Sequence, residues 1–337
     1  MKKSPSIILL LIFWISSTLS SSIMAQENTP PPDDPFAHTF SIVAKDPETG
    51  NLGVAVQSHW FSVGSVVSWA RAGVGAVATQ SFVNTSFGPR GLDLMEEGYS
   101  AQEALDILIE NDEGRDYRQV GIVDVDGNVA NYTGSKCVVA AGHSKGDGFS
   151  VQANMMLKNT VWGAMEEAYL NAEGSFADKL IASMKAAQQE GGDIRGQQSA
   201  ALLIVRGEST GNVWEDVLVD LRVEDHPEAV DEIARLVEVH KAYEHMNEGD
   251  LAIEENNVGK ALEEYNAAME LFPENIEMKY WTAVSLANSD RLDEALPLFK
   301  TVFETDKNWV EMTSRIVPNG LLQVTDKELS QILNAHK

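Results

Sequence analysis

Along this chain, apolar positions first alternate with polar ones or gather in short runs, and from about residue 225 they recur with helical spacing. In the first stretch Phe40, Ile42 and Ala44 alternate with Thr39, Ser41 and Val43. A turn at Asp46-Pro47-Glu48-Thr49-Gly50 returns the chain through Leu52, Val54 and Val56, which predicts a strand hairpin headed by a hydroxyl residue. Residues 66–69 and 74–79 read as further strands. Ser100-Ala101-Gln102-Glu103 has capping-box spacing and opens a helix carrying Ala104, Leu105, Leu108 and Ile109. Residues 119–125 and 128–132 form a hairpin pattern around Asp126-Gly127. Helices are expected near 161–170 and over 175–189, the second ending at Gly191-Gly192, and strands at 199–205 and 213–222 close the series. This order predicts an α+β domain over residues 39–224 in which two sheets pack face to face with helices outside.

The acidic helical stretch, residues 225–337, carries an internal repeat. Ala261-Leu262 with Tyr265 and Ala268 recurs as Ala295-Leu296 with Phe299 and Val302, an offset of 34 residues and the tetratricopeptide period. Gly249 and Pro273 stand twelve residues on either side of Ala261, where such a repeat wants a close helix approach and a turn. The second unit has Ala283 and Lys307 there and is degenerate. Two repeats are fewer than the three or more such stacks need. A small all-α, tetratricopeptide-like domain is therefore expected to lean on a flanking helix over 227–239, on the first domain or on another subunit, which makes it the place for a protein partner or self-association.

The N-terminus changes the expected location. Lys2 and Lys3 precede an apolar run from Ile7 to Ile15, a Ser-rich stretch and Ile23-Met24-Ala25, the order of a secretory signal peptide over residues 1–25. The run is short for a bilayer span, no cysteine at the cut would carry a lipid, and no later run of about 18 apolar residues follows. An exported protein is expected, periplasmic or extracellular, with no membrane attachment after cleavage. Residues 26–38, QENTPPPDDPFAH, read as a Pro-rich leader. The single cysteine, Cys137, has no internal disulfide partner, so stability must come from buried cores. Net charge is -26, and loss of the signal peptide removes two lysines and no acid. Such a field repels phosphate backbones and argues against nucleic acid as a partner.

The hairpin's first residue has a potential second use. A threonine at the start of a strand, freed of everything before it, has its own α-amine, with a pKa of about 8, as the base for its hydroxyl. The residues from Thr39 to Ala44 supply the strand and those from Gly53 to Ser58 its neighbour. The plainer alternative is that Thr39 is an ordinary β-branched strand residue.

The segments TFSIVA, GVAVQS, GVGAVATQ, RQVGIVD with its DG, the Gly142-His143 pair, GFSVQANMM and GGDIRGQQSAALL together resemble the bacterial family catalogued as domain of unknown function 1028, over about residues 38–206. The resemblance implies an N-terminal-nucleophile hydrolase fold, a four-layer αββα sandwich, and points to Thr39 as the nucleophile. Members of that family often look as if they begin Met-Thr-Phe, whereas cutting after Ala25 leaves thirteen residues before Thr39 and its amine blocked. Use of Thr39 in this way requires a second cleavage at His38-Thr39, by self-processing or by another protease.

Other residues rank by what an amidase needs. Asn154, in an otherwise apolar stretch, is a candidate oxyanion donor or else satisfies buried backbone groups. Asp193 and Arg195, two apart in a glycine-rich loop, share a side if the loop is extended, either bracing the site or presenting the guanidinium to a substrate carboxylate. Gln80, Arg118, Gln119, Gln197 and Ser199 are weaker candidates for substrate binding, with His59 and Arg71 as further ones. Asp124, Asp126 and Asn128 lack the later acidic ligand of a calcium loop and read as a turn, and His143 and Cys137 lack partners for zinc. No metal or cofactor is expected. The reading is an exported amidohydrolase that acts on a small amide, at a C–N bond other than an ordinary peptide bond. The alternative is a non-catalytic binding or assembly protein on the same scaffold.

Overall fold

The computed structural model describes residues 36–337. The expected signal peptide, and the leader up to Pro35, lie outside the described residues. Eleven strands and eleven α-helices follow in the described part. β1 (Phe36–Ala37), β4 (Ser68–Arg71), β5 (Gly75–Phe82), β6 (Arg118–Asp124) and β7 (Val129–Thr133) form one antiparallel sheet in which β1 and β4 share an edge of β5. β2 (Thr39–Lys45), β3 (Leu52–Ser58), β8 (Gly142–Gly146), β9 (Phe149–Ala153), β10 (Ser199–Val205) and β11 (Val217–Val223) form the other, in the order β11-β10-β3-β2-β9-β8.

Period-two patterning sorts the side chains into layers. The inward positions Val43, Val54, Val56, Ala76, Ala78 and Val123 form a core between the sheets. On the outer face of the second sheet, Phe40, Ile42 and Val151 pack against α3 (Val161–Asn171), α4 (Phe176–Gln189) and the start of α6 (Ala229–Glu254) through Met165, Leu180, Met184 and Ile233. On the outer face of the first, Val77, Val120 and Ile122 meet Phe87, Leu92 and Leu108 of α1 (Phe87–Glu96) and α2 (Ala101–Glu110). The layers therefore run helices, sheet, sheet, helices.

Most expected elements are present, including the capping box at Ser100 and the hairpin at Asp126-Gly127, where Asp124 also accepts the first backbone N–H of α2 at 3.0 Å. Two boundaries differ. The strand expected at 66–69 begins at Ser68, because residues 63–65 coil into a 3-10 turn. Of 213–222, the first residues form the short helix α5 (Val213–Asp216) and β11 starts only at Val217. α1 had no sequence signal because Gly88, Pro89 and Gly91 crowd its first turns.

Beyond β11 the chain is helical: α6, α7 (Val258–Leu271), α8 (Ile276–Asn288), α9 (Leu292–Thr305), α10 (Asn308–Ile316) and α11 (Asp326–Leu333). α7 and α9 start 34 residues apart, and the repeated positions Ala261, Tyr265 and Ala268, then Ala295, Phe299 and Val302, are all fully buried. At Gly249 a Cβ would sit 2.3 Å from the Tyr265 ring, so only glycine admits α7 this close to α6. α6 serves both parts: Val230, Ile233 and Val237 complete the core over the second sheet, while Ala242, Met246 and Ala252 pack against α7. No helix among the described residues is long and apolar enough to cross a membrane.

Candidate functional site

The register of the second sheet builds one end of the site. Thr39 pairs with Ser58 of β3, which pairs in turn with Ser199 of β10. All three are fully buried. Because β2 alternates, Thr39 and Ser41 point with Val43 toward the facing sheet. The chain before Thr39 doubles over the same end: β1 lies on β5, with Ala37 opposite Ser81, and the Thr39 hydroxyl donates to the Ala37 carbonyl at 2.7 Å.

The carbonyl of His38, which forms the peptide bond to Thr39, is held by two donors. Ser58 Oγ donates to it at 2.5 Å and Arg195 Nη2 at 3.0 Å. The guanidinium is itself fixed. Asp193, with its side chain fully buried, accepts from Arg195 Nε at 3.0 Å, from Nη2 at 2.7 Å and from the Arg195 backbone N–H at 2.9 Å, and also from the His59 backbone N–H at 3.3 Å. A charge-assisted bidentate pair of this kind fixes direction as well as charge. Arg195 braces the loop, and the N–H it presents goes to the His38 backbone carbonyl, not to the substrate carboxylate that the sequence suggested.

Behind Thr39 lies a chain of amides. Gln80 donates to the Thr39 carbonyl at 3.2 Å and to Gln119 Oε1 at 2.7 Å, and accepts from Ser41 at 2.6 Å. Gln152 donates to Ser41 at 2.7 Å, and at Gly121 of β6 a Cβ would stand 2.3 Å from the Gln152 amide, so glycine there admits it between the sheets. Asn154 gives its amide N–H to Gln119 Oε1 at 2.9 Å and to the Thr39 carbonyl at 3.4 Å, and its Oδ1 lies 2.6 Å from His38 Nδ1. The His38 ring is fully buried, edge-on to Phe82 with centroids 6.0 Å apart. Burial, the largest influence, and the Arg195 charge push its pKa down to about 4, against the hydrogen bond to Asn154 and the Asp193 charge, so the imidazole is neutral near pH 7.

The expected residues therefore separate. Thr39, Asn154, Asp193, Arg195, Gln80 and Gln119 converge. Asn154 spends its N–H groups on the scaffold, and the donors on the carbonyl are Ser58 and Arg195. His59 is exposed at the rim and touches the cluster only through its backbone. Ser199 donates to the Trp60 carbonyl and accepts from the Val63 backbone N–H, and Gln197 accepts from the Val230 N–H at the start of α6, so both tie elements together. Arg118 is buried against Asp112 at 2.6 Å and donates to the Phe82 carbonyl. Arg71 lies at the far end of β5, opposite Gly75, paired with Asp93 and Glu96 of α1. Ser58 and His38 were missed by sequence reasoning, although the hairpin register that pairs Thr39 with residue 58 was available to find the first.

Fold and site together define a mixed α/β protein with a polar cluster at one end of two facing sheets. The chain belongs to the family of unknown function DUF1028, whose family model matches residues 39–233. The crystal structure of SPO2555 from Silicibacter pomeroyi, a protein of the same family, is 31% identical, with a TM-score of 0.54, over 59% of this chain and 84% of that one. No curated protein matches.

Proposed function

We propose that this chain is an exported amidohydrolase of the N-terminal-nucleophile type, with Thr39 as nucleophile once the His38–Thr39 bond has been hydrolysed. The observation that carries the reading is the pair of donors, Ser58 and Arg195, on the carbonyl oxygen immediately before Thr39. Donors on that oxygen polarise the bond whose hydrolysis frees the Thr39 amine. They also mark where a substrate's amide oxygen sits afterwards. The layer order supports an αββα sandwich of this hydrolase class. The equivalent buried positions 34 residues apart support a tetratricopeptide-like domain that receives a protein partner or self-associates.

In the reaction, the Thr39 α-amine takes the hydroxyl proton as Oγ1 bonds to the amide carbonyl carbon and the π electrons move onto oxygen, where Ser58 and Arg195 donate to it. The amine passes that proton to the substrate nitrogen, the C–N bond breaks and the leaving amine departs, with an ester left on Thr39. Water then adds to the ester carbon and gives its proton to the Thr39 amine. The bond to Oγ1 breaks, the proton returns to Oγ1, and a carboxylic acid is released.

A second reading, a secreted binding or assembly protein that keeps its leader, is favoured by one observation: the Thr39 hydroxyl is already engaged by Ala37. Intact mass and terminal sequencing of the exported protein, with amide turnover measured alongside, decide between them. A chain starting at Thr39 whose turnover disappears in Thr39→Ala supports the hydrolase. A chain that keeps its leader, turns over no amide and tolerates Thr39→Ala overturns it.

A further inference from the structure

The His38 ring is fully buried against Phe82 and Asn154, and the polarity of these surroundings is fixed from behind. Gln119 spends its amide N–H groups on the carbonyls of Gly142 and Ala153 and on the Thr133 hydroxyl. Its oxygen is thereby turned toward Asn154 and receives that residue's N–H at 2.9 Å. Asn154 is left presenting Oδ1, an acceptor, to whatever sits beside Phe82. If the amide oxygen of a substrate lies where the His38 carbonyl lies, its acyl side chain lies where the imidazole lies. The residues before it follow β1 along Ser81 and Phe82.

We infer that the acyl half of the substrate is a short peptidyl group whose last side chain is planar, neutral and hydrogen-bond-donating, an imidazole or a carboxamide, and that Asn154 is the residue that selects it. This rests on the Thr39 hydrolase reading above. The same pocket rejects other side chains for separate reasons. A carboxylate brings lone pairs against Oδ1, a cation is buried beside the Arg195 guanidinium, and an aliphatic group leaves a buried acceptor unpaired, worth roughly 10- to 100-fold in affinity. The leader, ending Phe36-Ala37-His38, is then a tethered copy of the acyl product.

The test uses the full chain, folded first and then freed of its leader at the His38–Thr39 bond, by its own cleavage or by a site-specific protease whose recognition sequence replaces the residues before Thr39. The probes are the free acids Phe-Ala-His, Phe-Ala-Gln, Phe-Ala-Leu and Phe-Ala-Glu, measured by calorimetry, with turnover of the four corresponding anilides in parallel. The His and Gln peptides are expected to bind within roughly tenfold of each other, and the Leu and Glu peptides at least about 10-fold more weakly than His. Equal binding of the Leu or Glu peptide, or turnover without preference for His and Gln, overturns the selectivity while leaving the hydrolase standing. Selective binding with no turnover of any anilide upholds the pocket and overturns the hydrolase. Neither binding nor turnover overturns both. Because all four peptides meet the same protein preparation, the differences between them do not depend on how a variant folds.

Discussion

The two-sheet part and the helical part bury different things. Between the sheets His38, Thr39, Ser41, Ser58, Gln80, Gln119, Gln152 and Asn154 are all fully buried. Beyond residue 229, apart from the hydroxyls of Tyr265 and Tyr280, the fully buried polar side chains among the described residues are Thr282 and Thr313, each of which donates to a carbonyl one turn back in its own helix, Met278 and Trp309. Burying an amide costs a few kcal/mol unless it is bonded, so a network of this size in a core is a specification of geometry and weak evidence of stability. The helical part holds together by apolar repeats and by exposed ion pairs such as Arg291 with Glu294, which contribute little. Chemistry is accordingly sought at the polar end of the sheets, and partner recognition on the helices.

The sharpest way to break this contrast is Thr39→Ala. Loss of cleavage and of amide turnover by about 10³-fold or more is expected, read by intact mass and an anilide assay, with the thermal midpoint moved by only a few degrees. Ser58→Ala removes one of two donors on the same oxygen and should lower turnover about 10²- to 10³-fold. On stability, Gln119→Leu should cost on the order of 2 kcal/mol in urea unfolding by removing the acceptor for one N–H each of Gln80 and Asn154 and the donor to the Gly142 and Ala153 carbonyls, whereas Thr282→Val in the helical part should cost less than about 1 kcal/mol. Equal costs would erase the distinction.

Gly249→Ala tests the helical side. Its Cβ meets the Tyr265 ring, so about 1–3 kcal/mol is expected, with turnover at Thr39 unchanged. A matching fall in turnover would show the two parts to be coupled through α6. The remaining effect is on pH. Seated His38 titrates at about 4, and the unseated imidazole near 6.5. Above pH 6.5 both are neutral and seating is at full strength. As pH falls from 6.5 toward 4 the unseated ring takes a proton that the seated ring, buried beside Arg195, does not. Binding of Phe-Ala-His should therefore weaken over that window relative to Phe-Ala-Gln, whose side chain does not titrate there. Parallel curves for the two peptides would contradict the placement of the ring.

What could be read beforehand followed a local rule. The Thr39 hairpin, the capping box at Ser100 and the 34-residue repeat each depend on residues close in sequence or on a fixed period. α1 escaped because its reason for being helical is non-local: Phe87 and Leu92 bury against the first sheet, and at Gly88 a Cβ would stand 2.2 Å from the Trp69 ring. In the site, Thr39, Asn154, Asp193 and Arg195 were legible as residue types suited to amide chemistry. Arg71 had the same suitability but lies at the other end of β5, because residue type says nothing about which end of a strand a side chain reaches.

Periodicity and chain-local bonding specified most of the elements, the onset of helical spacing near residue 225, the 34-residue recurrence of apolar positions, and a threonine at the head of a strand. Tertiary structure alone decided that the His38 carbonyl meets Ser58 and Arg195, that Asn154 turns its oxygen outward, and that α6 serves two cores. These depend on sheet register and on segments as much as 157 residues apart coming within hydrogen-bond distance, contacts that pattern along a chain does not encode.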